Sequence, residues 1–158
     1  MVNPIQYIGT DAFTGALARA AGENVGSYDY SIGTLTAGGN YELSLATGSS
    51  FAITKKAITI TATANQKKVF GESNPVYAYT PSPALLGTDT FTGALARATG
   101  ENVGTYDYNL GTLSAGNNYE LTLATGSSFA ITKKAITITP TSNQKKVFGE
   151  ANPVQGRM

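Results

Sequence analysis

The chain has no histidine and no cysteine, so its ten acidic residues are the natural candidates for acid–base chemistry. Thiolate catalysis, disulfides, zinc–thiolate sites and a Ser-His-Asp triad are excluded by the same two absences. Glycoside hydrolysis needs two carboxylates flanking a cleft. Here Asp11, Glu23, Asp29, Glu42 and Glu72, with their copies Asp89, Glu101, Asp107, Glu120 and Glu150, occur singly beside turns or between tyrosines. A calcium loop needs clustered Asp or Asn at alternate positions, and Glu101-Asn102 and Asn117-Asn118 are too sparse for one. No catalytic, metal or cofactor residue is therefore expected.

Three other groups could take part in binding or linkage. Tyr28 and Tyr30, with Tyr106 and Tyr108, flank an aspartate in each copy. They would suit a sugar- or protein-binding aromatic face, but also a cross-strand ladder that only stabilises a sheet. The lysine pairs at 55/56, 67/68, 133/134 and 145/146 could bind anions, and more often such lysines protect strand edges. A Lys–Asn isopeptide link needs a buried lysine, an asparagine and an acid together, which spacing does not place. With charged residues at 13% and a net charge of +1, nothing favours nucleic acid or an anionic membrane. The apolar runs are too short to insert into a bilayer, and no leader-like segment opens the sequence.

The elements that must position these residues come as a repeat. Thr10 to Val76 aligns without a gap on Thr88 to Val154, an offset of 78, with 56 identities and 11 small differences. Ala57 to Thr61 alternates with period two and is β-branched, so it reads as a strand. Extended runs follow at 66–70, 76–80, 91–97, 105–110, 119–123 and 129–132, separated by glycine and asparagine turns. Pro81 and Pro83 are expected to stop pairing after 76–80. About seven short strands per repeat suit a small Ig-like β-sandwich. The fold class is thus all-β, with tandem sandwich repeats of 78 residues. The expected core is Phe13/Phe91, Leu17/Leu95, Val25/Val103, Leu35/Leu113, Leu43/Leu121, Leu45/Leu123, Phe51/Phe129 and Ile53/Ile131.

Parity places the unit boundary. Phe51 and Ile53 face one way and Ile58 and Ile60 the other, so the inward face switches at Lys55-Lys56-Ala57. Consecutive units should then be joined end to end by a continuous strand. The expected division is 1–56, a repeat without its initial strands; 57–134, a complete repeat; and 135–158, the initial strands of a next repeat.

The runs Ala57-Ile-Thr-Ile-Thr61, Lys68-Val-Phe-Gly-Glu-Ser-Asn-Pro75, Phe91 to Tyr106, Gly111 to Tyr119 and Phe129 to Lys134 resemble the MBG repeat of the YGX type. The tyrosine of its Tyr-Gly motif is replaced by Phe70 and Phe148. The resemblance implies a secreted, tandemly repeated module of bacterial adhesins and surface proteins, not an enzyme.

The ends complement each other. Two periods of 78 leave two residues over, so copies placed head to tail stay in register, with residues 3–8 standing where 76–80 stand internally. The expectation is self-assembly by strand donation. The donor residues are Ala135, Ile136, Ile138, Val147 and Phe148. The acceptor residues are Phe13, Leu17, Leu43, Leu45, Phe51 and Ile53. The expected partner is a second copy, giving an extracellular stalk or filament on a bacterial surface. The alternative is an adhesin module that binds host glycan or protein through the tyrosines, without any cofactor.

Overall fold

A computed structural model describes residues 12–153. Its first sheet is antiparallel, with β1 (Ala18–Arg19), β2 (Gly26–Ser31) and β3 (Ser50–Ile53) in that order. The remaining strands are β4 (Lys56–Ala62), β5 (Lys67–Val69), β6 (Tyr79–Ser82), β7 (Ala96–Arg97), β8 (Gly104–Asn109), β9 (Tyr119–Leu123) and β10 (Ser128–Thr132). They form two sheets, β5-β10-β8-β7 and β6-β4-β9. The described residues contain no helix.

β4 is the strand on which the second pair of sheets depends. It lies centrally, parallel to β9 and antiparallel to β6, with Ile58 opposite Leu121 and Ile60 opposite Leu123. Its side chains alternate: Ile58, Ile60 and Ala62 are buried, while Ala57, Thr59 and Thr61 face out. β-Branched residues on a pleated, half-buried surface favour this arrangement. β5 runs parallel to β10, with Lys68 opposite Ile131. Parallel neighbours need long crossovers, and here the rest of the repeat, from β6 to β8, supplies them. The two sheets enclose Ile58, Ile60, Tyr77, Leu95, Tyr108, Leu113, Tyr119, Phe129 and Ile131. Tyr77 packs edge-on against Tyr108 and Phe129, with ring centroids 5.5 and 5.2 Å apart.

Four expectations are corrected. Residues 91–97 are not one strand. Thr92 makes a single bridge to Ser114, and only Ala96–Arg97 pair with β8. Gly93 stands between them with φ +72°, where a Cβ would lie 2.0 Å from the Thr112 carbonyl oxygen. That left-handed turn breaks the extended run. Pro81 does not end pairing but sits inside β6, opposite Ile60. β6 is an edge strand, so a missing N–H on its outer side costs no ladder bond. Val103, placed in the expected core, is 48% exposed; it stands in the bend just before β8, outside any strand, so period-two alternation does not govern it. Finally, Thr54 and Lys55 belong to no strand, so β3 and β4 are separate strands in different sheets and not one continuous strand.

Residues 12–53 contain no sheet corresponding to β6-β4-β9. Glu42–Leu45, the counterpart of Glu120–Leu123 in β9, forms no strand. Residues 133–153, which repeat 55–75, also form none. The expected strand at residues 3–8 lies outside the described residues, as do Asp11 and 154–158.

Candidate functional site

The two copies of the repeat differ most in how their apolar side chains are covered. In the second unit β4 and β5 cover Leu95 and Phe129, which are 4% and 0% exposed. Their counterparts Leu17 and Phe51 are 50% and 40% exposed. The residues expected as donors mirror this difference. Ile58 and Ile60 are fully buried, whereas Ile136 and Ile138 are 81% and 77% exposed. Apolar side chains of this size gain about 1.5–3 kcal/mol each on full burial. Of the other expected acceptor residues, Phe13, Leu43 and Ile53 are half-buried and Leu45 is exposed.

Transferring the observed pairing by 78 positions sets Ile136 opposite Leu43, Ile138 opposite Leu45 and Lys146 opposite Ile53. It also separates the expected donors. Ala57 faces outward and Phe70 stays exposed in the completed unit. Ala135 and Phe148 thus correspond to exposed positions of the completed unit. Ile136, Ile138 and Val147 correspond to Ile58, Ile60 and Val69, which are buried or half-buried in the completed unit.

The position that sequence reasoning missed is Lys68. It lies in an edge strand, as expected of the lysine pairs, but its side chain is almost wholly buried and bonds Glu101 Oε2. Arg97, also buried, joins it there. Its Nη2 donates to Glu101 Oε1 at 2.7 Å and to Asn74 Oδ1 at 3.0 Å, and its Nε donates to Tyr77 OH at 3.1 Å. Nη1 caps the carbonyls of Ala98 and Gly100 at 2.9 and 2.6 Å. The guanidinium lies between the Tyr106 and Phe129 rings, 4.7 and 5.4 Å from their centroids, as cation–π contacts require. The bond from Lys68, followed by that from Arg97, outweighs desolvation and holds the Glu101 carboxyl below the ordinary range. No spacing rule links Lys68 to Glu101, because the contact crosses between sheet and loop. The only sequence signal is that Lys68 has the inward parity of its short strand.

The first unit keeps this clamp without its lysine. Arg19 Nη2 donates to Glu23 Oε1 at 2.5 Å, and Nη1 caps Ala20 and Gly22 at 3.0 and 2.6 Å. Arg19 lies over the rings of Tyr28 and Phe51, 5.0 and 4.9 Å from their centroids. The counterpart of Lys68 is Lys146, whose Nζ donates to Asn152 Oδ1 at 2.7 Å.

Lysine, asparagine and acid thus do meet around Arg97. However, Lys68 is engaged with an ionised Glu101, and Asn74 accepts from Arg97 instead. That geometry is an ion-pair network in which the asparagine faces Arg97.

The tyrosines divide. Tyr108 lies in the core, and its hydroxyl is the one buried side-chain polar atom without a partner among the described residues. Tyr106 is half-buried beneath Arg97, and its OH donates to Asn102 O at 2.7 Å. Tyr28 repeats that bond to Asn24 O at 2.6 Å, and Tyr30 is half-buried. Both pairs are drawn into packing and turn closure.

The seam between units is polar. The Val25 N–H donates to Asn118 Oδ1, and Asn118 Nδ2 donates to Asn24 Oδ1, both at 2.9 Å. The Lys56 N–H donates to Asn118 O at 2.9 Å. Val25 is half-buried at this seam, whereas its copy Val103 is open.

A family model described as MBG domain (YGX type) matches residues 6–51 and 58–129. The chain belongs to this family. The second MBG match begins at Ile58, within β4, so the family's unit includes the strand for which 12–53 shows no counterpart. MBG domains are repeat modules of adhesin-like proteins, typical of secreted and surface proteins and not of enzyme families. No curated protein and no solved structure matches the chain. No helix among the described residues is long and apolar enough to cross a membrane.

Proposed function

We propose that this chain is a structural module of an extracellular bacterial stalk or filament. Copies join head to tail, residues 135–153 of one entering residues 12–53 of the next. One observation carries the reading. Two nearly identical stretches bury their apolar side chains when a β4–β5 pair is supplied and leave them exposed when it is not, and a second β4–β5 sequence stands unpaired, with its isoleucines exposed, among the described residues. Strand addition satisfies both the backbone groups and the apolar face of an incomplete sheet. Donor and acceptor lie on different parts of the molecule, so the contact is heterologous and propagates.

The donor is already shaped. Asn143 has φ 62°, like Asn65 at 64°, and Gly149 has φ 91°, like Gly71 at 87°. The Val147 N–H donates to Glu150 Oε2 at 3.1 Å, as the Val69 N–H does to Glu72 at 3.0 Å. Its turns are formed before its strands, so less ordering remains for assembly.

The test is negative-stain electron microscopy with sedimentation of the 158-residue chain beside a version ending at Lys134. Linear polymers from the full chain alone are expected. Monomers from both would reject assembly.

A further inference from the structure

Resting on that head-to-tail reading, a question remains about how the donor finds its register. Apolar pattern alone is a weak guide here. Residues 136–139 read Ile-Thr-Ile-Thr, so a slip of two residues still places an isoleucine, Ile138, opposite Leu43. Slips of one residue reverse every side chain and are excluded by burial, but even-numbered slips are not.

The second unit shows what breaks the degeneracy. Lys68 is buried at a single point where one carboxylate, Glu101, is held by Arg97 to receive it. A buried ammonium is tolerated only where it is paired. Two residues along a strand is a displacement of roughly 6–7 Å, far outside the reach of an ion pair.

We infer that Lys146 is the register-determining residue of assembly, closing onto the preformed Arg19–Glu23 pair of the next copy. The acceptor half is built: Arg19 is fixed by two carbonyls and two rings, and Glu23 is turned toward it with its side chain 86% exposed. The donor half is available. Lys146 bonds Asn152, whose counterpart Asn74 in the completed unit bonds Arg97 instead. Assembly is therefore an exchange of partners in which Lys146 leaves Asn152 for Glu23, and Asn152 becomes free to accept from Arg19. The partner is a second copy of this chain, and Lys146 and Glu23 determine how it is aligned.

Charge exchange tests this. Lys146→Glu places a carboxylate against Glu23 and is expected to lower polymer yield more than tenfold at fixed concentration. The doubly exchanged chain, Glu23→Lys with Lys146→Glu, restores the set of charges and is expected to recover polymers. The second unit keeps its own Lys68–Glu101 pair in both variants, and an unchanged melting curve confirms that they fold.

Register is read directly by disulfide trapping, since the chain has no cysteine. Thr59 and Thr122 face each other with oxygens 3.4 Å apart, so Ser44→Cys with Thr137→Cys reports correct register. Ser44→Cys with Thr139→Cys reports the two-residue slip. Only the first pair is expected to cross-link with Lys146 present, and both with Lys146→Met. Polymers from the unaltered chain together with undiminished assembly of Lys146→Glu, no recovery in the double exchange, or unchanged trapping in Lys146→Met would overturn the lock while leaving strand donation standing. Absence of polymers from the unaltered chain would instead reject the assembly reading itself.

Discussion

Residues 12–53 and 90–131 are almost the same sequence in two settings. In the second, Phe129 is sealed between two sheets and Arg97 is buried against two rings. In the first, Phe51 is open on one side and Arg19 holds its glutamate at the surface. β2 and β3 still pair, with Tyr28 opposite Phe51 as Tyr106 is opposite Phe129. The half of the sandwich made from antiparallel neighbours within the segment therefore survives alone. The half that needs a β4-type strand does not: Glu120–Leu123 is in a strand and Glu42–Leu45 is not. The parallel strand supplied from outside the segment makes the difference, and local propensity does not compensate for its loss.

The comparison can be broken most forcefully at its centre. Ile60→Ala removes a fully buried side chain between the sheets and is expected to cost about 2–5 kcal/mol. The identical change at Ile138 is expected to leave unfolding of the unassembled chain unaltered, because that side chain is exposed. Urea titration of the two variants, at concentrations below assembly, measures both. Equal losses would mean that the two copies are equivalently packed in solution.

A smaller effect should appear at the ion cluster. Glu101→Gln leaves Lys68 and Arg97 buried with no counter-charge, so the melting temperature of the second unit should fall. Acid should act alike on the unaltered chain. The carboxyl of Glu101 is held below its ordinary value, first by Lys68 and then by Arg97. Its contribution is therefore complete above the ordinary carboxylate range and is lost as pH falls through the lowered folded value. Melting curves between neutral pH and pH 2 should converge for Glu101→Gln and the unaltered chain. Parallel curves would deny the group that role.

The smallest effect sharpens the comparison in the opposite direction. Tyr108 buries a hydroxyl without a partner, and burial, then the neighbouring Tyr77, raises its pKa. Tyr108→Phe should leave stability unchanged or raise it by up to about 1 kcal/mol, with the same change at Tyr30 having no effect. A loss at Tyr108, seen by thermal melting, would show that its hydroxyl is bonded after all.

Much of this architecture was legible beforehand, and the legible part has a common character. The repeat, the all-β class and the alternation of 57–61 are patterns within short windows. Leu95, Leu113, Phe129 and Ile131 fell where period-two reasoning put them. The failures share a cause as well. Gly93 turns left-handed because a carbonyl from residue 112 approaches it, and Pro81 is tolerated because of its place at a sheet edge. Lys68 is buried because Glu101, 33 residues away, receives it. Val25 is half-buried where its backbone meets Asn118 of the other unit, while its copy Val103 is open. Each is a contact between distant parts of the chain.

The same division runs through residues 135–153, the proposed donor. Its turns at Asn143 and Gly149 match those at Asn65 and Gly71 whether or not a partner is present, because a turn closes its hydrogen bonds within a few residues and carries its conformational preference in those residues alone. Its strand does not form, although Ala135 to Thr139 repeats Ala57 to Thr61 letter for letter. The sequence by itself determined where the chain turns, which residues alternate and that the unit recurs. Tertiary structure alone decided which copy of those residues becomes a strand, which lysine is buried and which phenylalanine is dry. A strand's hydrogen bonds lie across to a neighbour, and burial exists only once that neighbour is in place.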